Sequence, residues 1–495
     1  MDKFPEILFP SATEIAGPTD VGYGVYQTIL TDTTKEDYEA YLSYLNENGF
    51  VQMSANQTVN TSSPTDVSTY RKNDMFVSLR HAPGRKTWIA YYKDEEYHTW
   101  SAEEAFVNVP NVDVNLAKHV GDGNYMVSKE EVSKEEYVAY GKLLGQHGFE
   151  KVVDNGNGLG KVVFHEMYRR GNQTISICYL AKTKQLYVSA CLNAEQSKHL
   201  QFQESYIENI EAGAKTTLTM LKMTRLGSSF VFQLKNGHYI VSDGGFGCEL
   251  EALLQFLEQN APNGEKPVIE AWLISHTHPD HSGVVVMIAE HPENAKRISV
   301  EGIYYNEPCE DKQALHPALS QYQILGLKDA AKILGTKIYR PQTGQRYYFC
   351  DITMDVMLAS EQVPFEVHSN DFNDTSTWFL FTIDGQTCLI AGDADKGASY
   401  IYSEIYEKNE WKFNIFTAFH HGSNTDDHVT EHSSFETILV PRSVEPQKHP
   451  EENQRLKEKS KEWFIKGNGT RVLTFPYKVG ESKLLEEFDM IYDEQ

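Results

Sequence analysis

Ser275-His276-Thr277-His278-Pro279-Asp280-His281-Ser282-Gly283 places three histidines and an aspartate within six positions, directly after the apolar run Ile269-Glu270-Ala271-Trp272-Leu273-Ile274. The run reads as a buried strand, so the polar cluster stands at a strand end. In an extended segment alternate residues share a side, which puts the imidazoles of His276 and His278 together and turns Asp280 and His281 towards a neighbouring position. Imidazole and carboxylate suit zinc, and also manganese or iron. Structural zinc is usually enclosed by cysteine-rich tetrahedra. A His/Asp set leaves positions open to water, so the pattern points to chemistry rather than to a structural ion.

Working outward, Phe230-Val231-Phe232-Gln233-Leu234 and Tyr239-Ile240-Val241 predict two strands joined through Asn236-Gly237, a hairpin signal. The second runs into Ser242-Asp243-Gly244-Gly245, and Leu250, Leu253, Leu254 and Leu257 then give a helical stripe. Downstream stand Asn373-Asp374-Thr375-Ser376, Cys388-Leu389-Ile390 before Ala391-Gly392-Asp393-Ala394-Asp395, and Phe419-His420-His421-Gly422-Ser423. Val440-Pro441-Arg442, His449-Pro450, Asn453 and Gly469-Thr470-Arg471-Val472-Leu473 follow.

In this order, the segments resemble the metallo-β-lactamase superfamily over roughly residues 216–480. The later ones are similar to the soluble hydrolase domain of DNA-uptake competence proteins and related phosphodiesterases. The resemblance implies a four-layer αββα sandwich within an α/β (α+β) chain. It also implies one or two Zn2+ ions, with Mn2+ or Fe2+ as alternatives: His276 and His278 on one ion, Asp280 and His281 on the other, and Asp393 bridging. His420 or His421 completes the second site; His420 is favoured, with His421 lining the substrate pocket. Asp243 is expected to orient the ligand loop from behind. Asp280, His421 and Asn373 are the candidate catalytic residues, Asp280 as a proton shuttle and the others, with Ser423, as substrate contacts. A third histidine for the first site is not evident. His291, His316 and His368 lie between the motif and Asp393, none in a Gly-His setting.

The implied activity is metal-dependent hydrolysis by an activated water, on a phosphodiester or related small molecule. A lactone, thioester or β-lactam would use the same ligands, and a non-catalytic metal-binding protein is the alternative of another class. Di-iron oxidoreductases of this fold usually carry Glu in the place of His276, which argues against that chemistry.

The 495 residues carry 45 Lys and Arg against 70 Asp and Glu, a net charge of −25. That balance argues against nucleic acid as a partner, because phosphate affinity rests on clustered cations. Cys178, Cys191, Cys248, Cys309, Cys350 and Cys388 are too dispersed for a disulfide framework and read as reduced thiols. No stretch approaches the roughly 18 apolar residues needed to span a bilayer. The expectation is a cytoplasmic protein without a membrane partner.

The first 213 residues repeat themselves. Glu36-Asp37-Tyr38-Glu39-Ala40-Tyr41 returns as Glu135-Glu136-Tyr137-Val138-Ala139-Tyr140 and Gly49-Phe50 as Gly148-Phe149, at an offset of 99. Each copy predicts a capped helix stopped by Gly49 or Gly148, followed by short alternating strands. The predicted domains are a first α+β copy over 1–115, a second over 116–213 and the hydrolase-like domain over 214–495. The two copies are expected to pack on one another and offer a surface for a homo-oligomer. Isolated histidines such as His98, His119, His165 and His238 read as structural or solvated. The run from Arg455 to Glu462 reads as the solvated face of a helix.

Overall fold

Thr34 and Ser133 each open a helix where the sequence asks for one. The Asp37 N–H donates to Thr34 Oγ1 and the Glu136 N–H to Ser133 Oγ, both at 3.2 Å, and the Glu136 carboxylate closes a capping box on Ser133. Orphan donors at both helix starts are thereby satisfied. The helices run Lys35–Glu47 and Lys134–Gln146, and Gly49 and Gly148 follow with φ of +80° and +82°. These positions come from a computed structural model, which describes residues 5–57, 64–82, 84–97, 100–106, 109, 112–121, 123–200, 210, 213–223, 226–359, 372–408, 411–423, 427–443 and 450–485.

Each helix buries an apolar face on a six-stranded antiparallel sheet. In spatial order the first sheet holds Glu14–Gly22, Val25–Thr31, Lys86–Lys93, Met75–Ala82, Asp66–Lys72 and Val51–Gln57. The second holds Lys118–His119, Tyr125–Lys129, Gln185–Leu192, Gln173–Leu180, Val163–Arg170 and Glu150–Asp154. Both follow one strand order, first-second-sixth-fifth-fourth-third. Among the described residues the two sheets share no strand pairing; Tyr97 OH lies 3.3 Å from His119 Nδ1 between the copies, and side chains of both modules also pack on the C-terminal part of the chain. Ala105, Phe106 and Val109 fill the core beneath the second helix with Tyr137, Tyr140 and Leu144.

Two sheets face one another in the C-terminal part. One contains Thr217–Met220, Ser229–Gln233, Tyr239–Asp243, Val268–Ile274 and Ile303–Tyr305, extended at its edges by Thr470–Thr474, Lys483–Leu485 and Ile338–Tyr339. The other runs Arg346–Phe349, Ile352–Leu358, Trp378–Ile383, Gln386–Ile390, Trp411–Thr417, Ser433–Val440 and Glu462–Ile465. Strand periodicity sorts the residues of Val268–Ile274 by face. Ala271 and Leu273 join Phe230, Phe232, Ile240, Met354, Val356, Phe379 and Phe381 between the sheets. Trp272 and Ile274 point outward under the helices Leu250–Asn260, Pro279–Glu290 and Pro317–Leu334. Lys396–Ile405 and Pro450–Lys459 cover the second sheet through Ala398, Tyr402, Ile405 and Leu456. The result is a four-layer αββα sandwich in an α/β chain. The charged run at 455–462 is only partly helical: the helix ends at Lys459 and Glu462 begins the edge strand.

The first module grips the segment that leads into the helix Pro317–Leu334. Arg80 Nη1 donates to the Leu315 carbonyl at 2.8 Å, Tyr97 OH donates to Glu310 Oε1 at 2.8 Å, and Lys328 pairs with Asp94 at 2.8 Å. The second module reaches the opposite sheet, with Lys182 Nζ on the Ser403 carbonyl at 2.8 Å and Leu180 packed among Met357 and Leu358. No described helix is long and apolar enough to cross a membrane.

Candidate metal centre

Strand Val268–Ile274 ends at Ser275, and Pro279 starts the next helix, so His276 and His278 sit in the tight loop between them. Pro at the first helical position lacks only an N–H that would have no partner there. His276 Nε2 and His278 Nδ1 lie 3.0 Å apart and share a cluster with Asp393. Asp280, His281, Asp393 and His421 form a second cluster. Within each cluster the potential ligand atoms lie within 4.8 Å of one another, and Asp393 belongs to both. His281 Nε2 is 3.0 Å from Asp393 Oδ1, and His421 Nε2 is 3.3 Å from the same oxygen and 3.1 Å from Asp280 Oδ2.

Asp393 reaches this position through Gly392. Gly392 has a φ of +56°, and a Cβ there would lie 2.5 Å from Ser275 Oγ. Only glycine allows the two ligand loops to approach so closely. The Asp393 N–H donates to Ser376 Oγ at 3.2 Å, and the Thr377 N–H to the Ser275 carbonyl at 2.9 Å. Asp374 accepts from the N–H groups of Asp395 and Ala398 at 3.0 and 3.1 Å, anchoring the start of helix Lys396–Ile405. Burial pushes the Asp374 carboxyl up to about 7. The Asn-Asp-Thr-Ser run thus builds the loop that presents Asp393.

Two histidines are oriented from behind. His281 Nδ1 donates to Asp243 Oδ2 at 2.8 Å, and His421 Nδ1 donates to the Pro441 carbonyl at 2.8 Å. Each bond directs the other nitrogen, Nε2, into the cluster, the arrangement that metal-binding histidines adopt. Asp243 also accepts from the Ser275 N–H at 2.9 Å, and its left-handed φ of 59° is held by its neighbours.

His421, expected to line the substrate pocket, joins the buried donor cluster, and His420, the favoured ligand, stands outside it. Both have positive φ, 46° and 53°, and this turn swings His421 into the buried cluster. His420 stays partly exposed, with Nε2 3.8 Å from Asp393 Oδ2 and both ring nitrogens 3.4 Å from Asn373 Nδ2. Asn373 therefore lies beside His420. Ser423 Oγ accepts from Arg442 Nη1 at 2.7 Å, next to the turn. Of the other histidines, His316 packs its ring 5.8 Å from that of His278, and His291 is exposed beside Glu293. His368 and His449 lie outside the described residues.

The electrostatics match a cation site. Burial opposes charge on Asp393, but His281 and His421 outweigh it and hold the carboxyl well below the usual range. Burial likewise opposes protonation of His281 and His421, while Asp393 leads the groups that raise the first well above an ordinary imidazole and the second to about 9. Burial, reinforced by His281 and His278, pushes His276 well below. His281 Nε2 is buried, with Asp393 Oδ1 at 3.0 Å beside it. A divalent ion takes neutral imidazoles and ionised carboxylates, so on binding it would displace the protons that Asp393 and its neighbours hold on His281 and His421. The residues fit the group.

Lys466 escaped the sequence reading. It is buried, its Nζ donates to the Gly227 carbonyl at 2.5 Å, and burial lowers its pKa to about 8 against the opposing pull of Glu249 and Asp280. Lys466-Gly467-Asn468-Gly469 reads as an ordinary turn, and nothing local marks the lysine.

Residues 224–430 match the family model described as the Metallo-beta-lactamase superfamily. With the αββα layers and the paired clusters, this part of the chain is a metallo-β-lactamase domain. The superfamily binds one or two metal ions and is usually enzymatic. No curated protein matches the chain. Among solved structures it is similar to CmlA, a diiron beta-hydroxylase from Streptomyces venezuelae, at 10% identity and a TM-score of 0.31, over 53% of this chain and 54% of that one. A likeness of that size carries no chemistry across.

Proposed function

We propose that the chain is a metal-dependent hydrolase acting on a phosphodiester or related small phosphorylated molecule. The observation that supports this reading is Asp393 shared between two clusters of donors, His276 with His278 and Asp280 with His281 and His421. Divalent ions, Zn2+ in the first instance with Mn2+ or Fe2+ as alternatives, would be held there, and they supply Lewis acidity and a water whose pKa falls to roughly 7. Asp243 and the Pro441 carbonyl keep His281 and His421 in the required ring orientation. Asp280, with Oδ2 3.1 Å from His421 Nε2, would pass a proton to the leaving group. Arg442 behind Ser423, and Asn373 with His420, are the donors suited to a phosphate oxygen, and the guanidinium favours an anionic substrate over a neutral lactone. A net charge of −25 argues against a long nucleic-acid substrate.

A parallel screen of bis-p-nitrophenyl phosphate, cyclic nucleotides, homoserine lactones and a chromogenic β-lactam, each with Zn2+ and with Mn2+, tests the reading. Turnover of phosphodiesters is the expected result. Turnover confined to lactones or the β-lactam would overturn the substrate class while leaving a hydrolase.

A further inference from the structure

One face of the first N-terminal sheet is given to the segment that reaches the metal centre. Strand Ile303–Tyr305 runs parallel to Val268–Ile274, with Tyr305 beside Ile274, so both strands end at the edge that carries the His276–His281 loop. The chain then makes the short helix Glu310–Gln313 and arrives at His316, the residue before the helix Pro317–Leu334. His316 is half-buried and its side chain makes no capping bond, whereas Ser, Thr, Asp or Asn would cap that helix better. Helix stability therefore does not account for a histidine there. Its ring stands edge-on to His278 at 5.8 Å and lies 6.1 Å from Phe372, against the half-buried side of the first donor cluster. An anion held at that cluster would also lie near the start of an 18-residue helix, the end that favours negative charge.

The first module holds this segment along its length. Val67 and Thr69 share one side of their strand, and Arg80 stands directly opposite Val67 on the next; Tyr70, Val77 and Leu79 point the other way, onto the module's own helix. On the outer side Val67 packs on Ala314 and Leu315, Thr69 Oγ1 donates to the Glu310 carbonyl at 3.4 Å, and Arg80 Nη1 donates to the Leu315 carbonyl, one residue before His316. Burial raises the Asp374 carboxyl, and Lys312, buried in the same segment, leads the groups that oppose it; Asp374 in turn anchors the loop of Asp393. We propose that His316 contacts the substrate, its imidazole N–H donating to a phosphate oxygen at the metal centre, and that Arg80 is the positioning residue through which the first module sets where that ring stands. This role rests on the phosphodiester reading and gives the module a task within it.

The test uses the full chain loaded with Zn2+ and inorganic phosphate as the probe, read by titration calorimetry beside metal content and the kinetics on bis-p-nitrophenyl phosphate. Saturable phosphate binding by the parent is expected. His316→Ala keeps its metal, weakens phosphate by roughly ten- to a hundred-fold, the value of one hydrogen bond to a charged group, and raises KM more than it lowers kcat. His316→Gln, which keeps an N–H donor, recovers part of the loss. Arg80→Ala weakens phosphate by a smaller factor at unchanged metal content, and Arg80→Lys recovers part of that; a bond that only held the module in place would lower the urea midpoint and leave phosphate affinity alone. Phosphate affinity unchanged in His316→Ala, or metal lost from it, overturns the contact, the second outcome making His316 a ligand. Affinity unchanged in Arg80→Ala overturns the module's part. A parent that binds no phosphate and turns over only lactones or the β-lactam overturns the function on which this role rests, a failure distinct from the other two. Circular dichroism of every variant separates lost binding from lost folding.

Discussion

His421 enters the buried donor cluster because the backbone turns the wrong way for an L-residue twice in succession. Left-handed φ at His420 and His421 is unfavourable unless the surroundings impose it, and such strain collects at functional sites. The contiguous motif from His276 to His281 was legible because alternation along an extended loop dictates which rings share a side. The choice between His420 and His421 was not, since it depends on backbone handedness that residue identity does not reveal. His421→Ala is expected to remove metal from the second cluster and abolish turnover, whereas His420→Ala keeps its metal and loses less activity. Metal content beside kcat/KM distinguishes the two, and the reverse ranking would return His420 to the ligand set. Gly392→Ala forces a Cβ against Ser275 at a positive φ. It should cost on the order of 1–3 kcal/mol in urea unfolding, and a neutral effect would show that the loops can separate.

At the scale of elements, caps and stops were readable. Ser133 with Glu136 and the glycines at 49 and 148 mark both helices, and alternation in Val268–Ile274 assigns its faces. The run at 455–462 misled because its charges belong to a helix end and an edge strand together, and a charge pattern has no period that separates them. The repeat supplies its own internal control. Tyr41→Phe removes a hydrogen bond between buried hydroxyls and should cost about 0.5–1.5 kcal/mol, while Tyr140→Phe should be neutral or stabilising because its hydroxyl has no partner to lose. Equal urea midpoints for the two variants would contradict this difference between the modules.

Across the whole molecule, the segment carrying Glu310 and Leu315 lies between the first module and the metal centre, and it ends at His316 beside His278. Sequence could count three units but could not show that both modules lean on the sandwich, because the contacts join residues more than 200 positions apart. Glu310 gives this interface a pH signature. Burial pushes its carboxyl up from the ordinary 4.5 to about 8. Between those values the unfolded chain releases a proton that the folded chain keeps, so this residue's contribution to stability falls as pH rises through that window and is flat above it. Glu310→Gln retains an acceptor for Tyr97 and should exceed the parent in stability at pH 8 by on the order of a few kcal/mol, with the two equal near pH 4. Urea unfolding at both pH values checks the sign, and a variant weakened equally at each would refute it.

The central claim is that Asp393 joins two donor sets into a site for divalent metal. Metal analysis of protein purified without added metal, repeated on His278→Ala and Asp393→Ala, tests it most directly. The account predicts close to one or two transition-metal ions per chain in the parent and a clear loss in both variants with the fold retained. A parent chain that holds no metal even after supplementation, or variants that hold as much as the parent, would contradict it.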